Sequence, residues 1–172
     1  MNYAYYIPIF LILILVPVVM AVAWTRVKKR KRQREKLRKR FEDFAIKNNL
    51  SIDKKQIVRG NMIGIDRLNF KLVFLINSAS KKQFHLVDMR DLLNCSLKKD
   101  RDKVTKHISK IYLQCQFEKG VPDINFVFFD ESKDDPFKMM RSFKKASYWK
   151  KCIDIFTETA NLSGKSNRKI AV

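Results

Sequence analysis

Residues 108–130 read ISKIYLQCQFEKGVPDINFVFFD, and their period decides the fold class. Ile111, Leu113, Cys115 and Phe117 alternate with Tyr112, Gln114 and Gln116. Successive side chains of a strand point to opposite faces, so the first set belongs on a core face. A turn follows at Lys119–Asp123. Ile124, Phe126 and Phe128 then alternate with Asn125, Val127 and Phe129, a strand apolar on both sides and therefore central or covered.

Upstream the period of two continues back to Ile52. It predicts strands at about Gln56–Arg59, Met62–Asp66, Phe70–Asn77, Gln83–Met89 and Asn94–Lys98. Turn chemistry separates them at Gly60-Asn61, Asp66–Asn69, Asn77–Lys82 and Lys98–Lys106. The stretch Lys99–Lys106 (KDRDKVTK) is too charged to pack and reads as an exposed hairpin loop. Downstream, Ser132–Pro136 breaks the strand pattern, with Asp134 or Asp135 as N-cap and Pro136 at the first helical position. Met139, Met140, Phe143, Ala146, Trp149, Cys152, Ile153 and Phe156 then recur every three or four residues to about Thr159, an amphipathic helix whose apolar stripe is core. Residues 161–172 lack periodicity and read as a flexible tail.

The N-terminal end is different in kind. Residues 1–24 carry no charge, and Ala4–Trp24 is a continuous apolar run with Tyr3, Tyr5, Tyr6 and Trp24 at its two ends. About 20 apolar residues suffice to cross a bilayer, and the positive charges follow the run, against the order of a signal peptide. The reading is a transmembrane helix. Residues 25–40 (TRVKKRKRQREKLRKR) then hold eleven Lys/Arg and one Glu. By the positive-inside rule, the N-terminus lies outside and the rest lies on the cytoplasmic side of the cell (inner) membrane, as a single-pass protein. Leu37, Phe41 and Phe44 form an apolar stripe near the end of the stalk, and Asn48-Asn49 ends it.

The expected fold class is α+β. One N-terminal transmembrane helix precedes a small antiparallel β-barrel or sandwich of about seven strands, capped by a C-terminal amphipathic helix. The expected domains are 1–24 (transmembrane), 25–50 (basic juxtamembrane stalk), 51–160 (cytoplasmic β domain) and 161–172 (tail). This order of elements, the Gly60-Asn61 turn before the MIGID strand, the charged loop before the long strand, and a helix with Trp149 at its centre resemble the pleckstrin-homology-like domain. The likeness spans residues 52–160 and extends to small membrane-anchored bacterial proteins of that architecture. It implies that loops at the open end of the barrel hold phosphoinositides or peptides. Lys98, Lys99, Arg101, Lys103, Lys106 and Lys110 are the candidate ligand loop.

Composition narrows function further. The chain has 172 residues and a formal charge of +20, a total that suggests nucleic acid until it is mapped. Half of the excess sits in residues 25–40, where anionic headgroups lie within a Debye length of an adjoining membrane. Arg26, Lys28, Lys29, Arg30, Lys31, Arg32 and Arg34 are therefore the candidate lipid contacts, and nucleic acid is not the expected partner. No catalytic constellation, cofactor motif or metal spacing is present. The four Gly are isolated, His85 and His107 match no ligand pattern, and Cys95, Cys115 and Cys152 read as small core residues of a reducing compartment. Asp130, Glu131, Asp134 and Asp135 are explained by helix capping without a cation. The expected function is a non-catalytic, membrane-tethered adaptor or scaffold that contacts anionic lipid and a protein partner. The alternatives are an accessory single-pass subunit of a larger membrane complex and, third, a nucleic-acid or ribosome tether.

Overall fold

The computed structural model describes residues 6–77, 82–102, 105–118 and 122–169, with side chains described at 19–77, 82–102, 105–118 and 122–162. It is an α+β structure. Helix α1 (Tyr6–Lys47) precedes β1 (Ile52–Val58), β2 (Asn61–Asp66), β3 (Lys71–Asn77), β4 (Lys82–Asp88), β5 (Leu92–Arg101), β6 (Ile108–Phe117) and β7 (Ile124–Asp130). Helix α2 (Met139–Lys169) follows. Short 3-10 turns at Met89–Asp91 and Pro136–Lys138 join β4 to β5 and introduce α2. The chain divides into two units, Met1–Glu42 and Asp43–Val172.

The first unit corrects the expected fold class. Among the described residues, no helix is long and apolar enough to cross a membrane, so the expected transmembrane helix is withdrawn. The physical reason is continuity with the charged run. Helix α1 is 42 residues long and runs without a break from the apolar residues into the basic run. Tyr3, Tyr5 and Tyr6, at the start of the run, lie outside the described side chains. Trp24 is 71% exposed, with the Lys28 ammonium 5.6 Å from its ring centre.

Among the described residues the strands of the second unit form two antiparallel sheets, β1-β2-β3-β4 and β5-β6-β7, each strand hydrogen-bonded only to its neighbour in sequence. On sheet one Ile63, Ile65, Leu72, Phe74 and Val87 share a face, which faces Ile111, Leu113, Cys115, Phe126 and Phe128 of sheet two in one buried core. Helix α2 closes this core with Ala146, Trp149, Cys152, Ile153 and Ala160. Indole Nε1 of Trp149 donates to Gln56 Oε1, so the largest core side chain keeps its polar edge satisfied. The other face of sheet one is buried as well, at Met62, Val73 and Leu75, and there Phe44 stacks on Phe84 with ring centres 4.1 Å apart.

Several local expectations shift. β7 lies at the sheet edge rather than at its centre but is covered where the adjacent Phe128 and Phe129 are both buried, and β2 and β3 are buried on both faces. β5 runs on through Lys99, Asp100 and Arg101, because backbone pairing with Ile111, Lys110 and Ile108 outlasts the apolar pattern. The first hairpin turns at Arg59-Gly60 (φ +51° and +79°), one residue before the expected Gly60-Asn61. Asn48-Asn49 does end α1. Asn49 takes a left-handed φ of +52°, and the Asn49 and Leu50 amides donate to Ile46 and Ala45 carbonyls at 3.1 and 2.8 Å, a Schellman motif. Asp135 caps the Pro136–Lys138 turn by accepting from Phe137 N at 3.1 Å. Helix α2 then continues through residue 169, past the end of its apolar period at about Thr159, because no proline stops it.

Candidate functional site

The basic run lies on α1, where its residue types are all good helix formers. Arg26, Lys28, Lys29, Arg30, Lys31, Arg32 and Arg34 are every one exposed, and Glu35 is the only acid between residues 25 and 40. At 100° per residue these side chains surround the helix rather than line one side. The result is a rod of positive charge that attracts an anionic surface from any azimuth. Nearer the end of α1 the pattern becomes one-sided, with Leu37, Phe41 and Ala45 buried between exposed neighbours.

The second set of candidates is scattered. Lys99 shares the core face of β5, and its ammonium sits 4.0 Å from the Phe143 ring centre. Lys98 and Lys110 belong to the opposite face. There Lys110 stands between Asp100 and Asp130 in the cross-strand row, and Tyr112 donates to Asp100 at 3.2 Å. Opposite charges directly across strands neutralise one another, which removes Lys110 from the pool free to hold an anion. Arg101 ends β5, Lys106 turns with φ +58°, and Lys103 lies outside the described residues. The structure does not converge Lys98, Lys99, Arg101, Lys106 and Lys110 on one point.

The acidic turn before α2 is likewise occupied. Asp134 accepts from Asp130 N at 3.0 Å and forms an ion pair with Arg59 Nε, while Asp130 lies 3.5 Å from Arg59 Nη2. The Ser132 hydroxyl donates to Asp130 at 2.7 Å. With Arg59 behind it, that bond holds the Asp130 carboxyl below the ordinary range. The strained left-handed Arg59 is thus clamped from the far sheet. Among the described residues no group of three or more His, Cys, Asp or Glu is placed to hold a metal. His85 is half-buried beside the core, opposite Phe74. Cys95 and Cys115 are buried cross-strand partners with sulfurs 3.7 Å apart. The contact with Cys95, reinforced by burial, pushes the Cys115 thiol up, away from the reactive thiolate.

One surface escaped the sequence reading. Met140, assigned there to the core, is 59% exposed, and Phe137 ahead of it is 96% exposed. Tyr148, Ile155 and Leu162 are exposed too, and their spacing of seven was the signal available in the sequence. The core stripe of α2, at spacing three and four, masked it. Compared with protein-family models, with curated proteins and with solved structures, the chain matches none.

Proposed function

We propose that the protein is a non-catalytic adaptor that works at the cytoplasmic face of the cell (inner) membrane. Its α1 rod engages anionic lipid headgroups, and its β domain engages a protein partner. The observation that carries this reading is the exposed run Arg26–Arg40, with eleven basic residues and one acid on a continuous helix. Two antiparallel sheets closed by a C-terminal helix support the pleckstrin-homology-like reading of the domain. The burial of all three cysteines as free thiols suits a reducing compartment.

Flotation of the full chain with vesicles of phosphatidylglycerol and phosphatidylcholine tests it. A variant carrying Lys28→Glu, Arg30→Glu, Arg32→Glu and Arg34→Glu should partition at least about a hundredfold more weakly, since each cation near the surface contributes on the order of 1 kcal/mol. Unchanged partitioning would overturn the lipid reading. So would displacement of the protein from vesicles by a stoichiometric amount of duplex RNA, which would instead favour a nucleic-acid tether.

A further inference from the structure

The outward side of α2 does not face the core, yet it is not a polar surface. Phe137, Met140, Tyr148, Ile155 and Leu162 are 96%, 59%, 51%, 58% and 69% exposed. On α2 itself the spacing of eight, seven and seven places Met140, Tyr148, Ile155 and Leu162 within one sector of about 80°, and Phe137 stands in the turn just ahead of the helix. Arg141, Lys144 and Lys151 interleave with them on the same line and are exposed. The core stripe of Ala146, Trp149, Cys152 and Ile153 occupies the other side, so α2 has two apolar faces of different character.

Positive charge reaches this helix from its neighbours as well. The Lys54 ammonium donates to the Tyr148 hydroxyl at 3.2 Å and lies 5.4 Å from its ring centre, and Lys99 covers Phe143. The Tyr148 hydroxyl, with Cys152 next, raises the Lys54 pKa, so this ammonium stays charged. On the acidic side Asp154 is engaged by Lys150, which leaves Glu158 as the acid on the line itself. Pro136 and the Asp135 cap hold the turn that presents Phe137. An apolar stripe laced with cations matches an interface in which rings and aliphatic groups enter the acyl boundary while amines and guanidinium groups meet phosphates.

We propose that the outward face of α2 docks flat on an anionic bilayer, a second lipid contact belonging to the β domain. It deepens the lipid reading given above, on which it rests, but uses different residues. Nucleic acid would reward the cations and not the exposed Phe137, Ile155 and Leu162, and a second copy of the chain would bring a like-charged face against this one.

The test uses the full chain with phosphatidylglycerol-containing vesicles and a Phe137→Asp, Ile155→Asp variant. Both sites are exposed, so a wild-type near-ultraviolet circular dichroism spectrum is expected. The variant should partition at least about tenfold more weakly, the effect of removing two interfacial anchors and adding two anions. Met140→Ala with Leu162→Ala, which changes no charge, should lower partitioning in the same direction. Partitioning within twofold of wild type in both variants, about the scatter of such a measurement, would overturn the proposal. A wild-type dimer that both variants convert to monomer, with vesicle binding kept, would also overturn it in favour of a second copy. Repeating the measurement on the α1 charge-reversed variant separates the two readings. If only the α2 changes matter, the α1 reading fails and this one stands; if only the α1 changes matter, the reverse holds.

Discussion

Asp66 is the one charged residue fully buried among the described residues, and the most informative place to perturb the fold. It is 0% exposed, and its oxygens accept from Ser51 N at 2.8 Å, Asn69 N at 3.0 Å and Asn69 Nδ2 at 2.7 Å. These bonds tie the start of β1 and the β2–β3 turn to one carboxylate. Asp66→Ala strands three donors. At about 1 kcal/mol for each bond lost, and more for any donor left buried, the loss should be about 3–5 kcal/mol. Asp66→Asn keeps the shape. Its amide nitrogen must face either Asn69 N or the pair of donors on the other oxygen, so the better orientation loses one bond, about 1–2 kcal/mol. Burial opposes ionisation of Asp66, but the Asn69 side chain, with the Asn69 and Ser51 amides, outweighs it and holds the carboxyl below its ordinary value. A depressed folded-state pKa means that the stabilisation is present above the unfolded value of about 3.9 and is lost as pH falls through the folded one. The gap between wild type and Asp66→Asn should therefore narrow on acidification. Urea unfolding followed by circular dichroism at pH 7 and pH 3, with unchanged m-values, measures this. An Asp66→Ala loss under about 1 kcal/mol at pH 7, or a gap to Asp66→Asn that ignores pH, would refute the account.

Two further outcomes follow from the core. Trp149→Ala removes a side chain that is 1% exposed and strands Gln56, so it should cost about 3–5 kcal/mol in urea unfolding, with Gln56→Leu costing far less. A Trp149→Ala protein as stable as wild type would show that α2 does not close the core. Cys95 and Cys115 should resist iodoacetamide at pH 8 in the native protein and react in urea, as read by intact mass, because both are buried and the Cys115 thiol is pushed up. Native-state labelling of Cys115 at the rate of a free thiol would contradict its burial.

The β domain was legible where period and burial coincide. β6 and β7 have the bounds their alternation implies, because Ile111, Leu113, Cys115 and Phe126 meet one core. Legibility fails where backbone pairing outruns side-chain pattern. Lys99–Arg101 look like a loop by charge yet pair with β6, since a ladder needs no apolar residue to extend it. It fails at Arg59, where a left-handed φ that composition would give to glycine is instead held by Asp130 and Asp134, about seventy residues away in the chain. The same distance problem scattered the basic candidates. Lys99 and Lys110 look like one cluster along the chain, but two-residue alternation sends them to opposite faces. The N-terminal run shows the converse error, since its hydropathy was read apart from the charged helix it continues into.

The position of α2 has a consequence for how the chain is made. Each described strand pairs only with its sequence neighbour, so both sheets can zip up hairpin by hairpin as they leave the ribosome. The element that covers β5, β6 and β7 emerges only after all three. Until Trp149 and Ile153 arrive, Phe126, Phe128 and Leu113 belong to a half-built core with its apolar face toward water. The nascent chain therefore passes through an adhesive stage that lasts until α2 has emerged and docked.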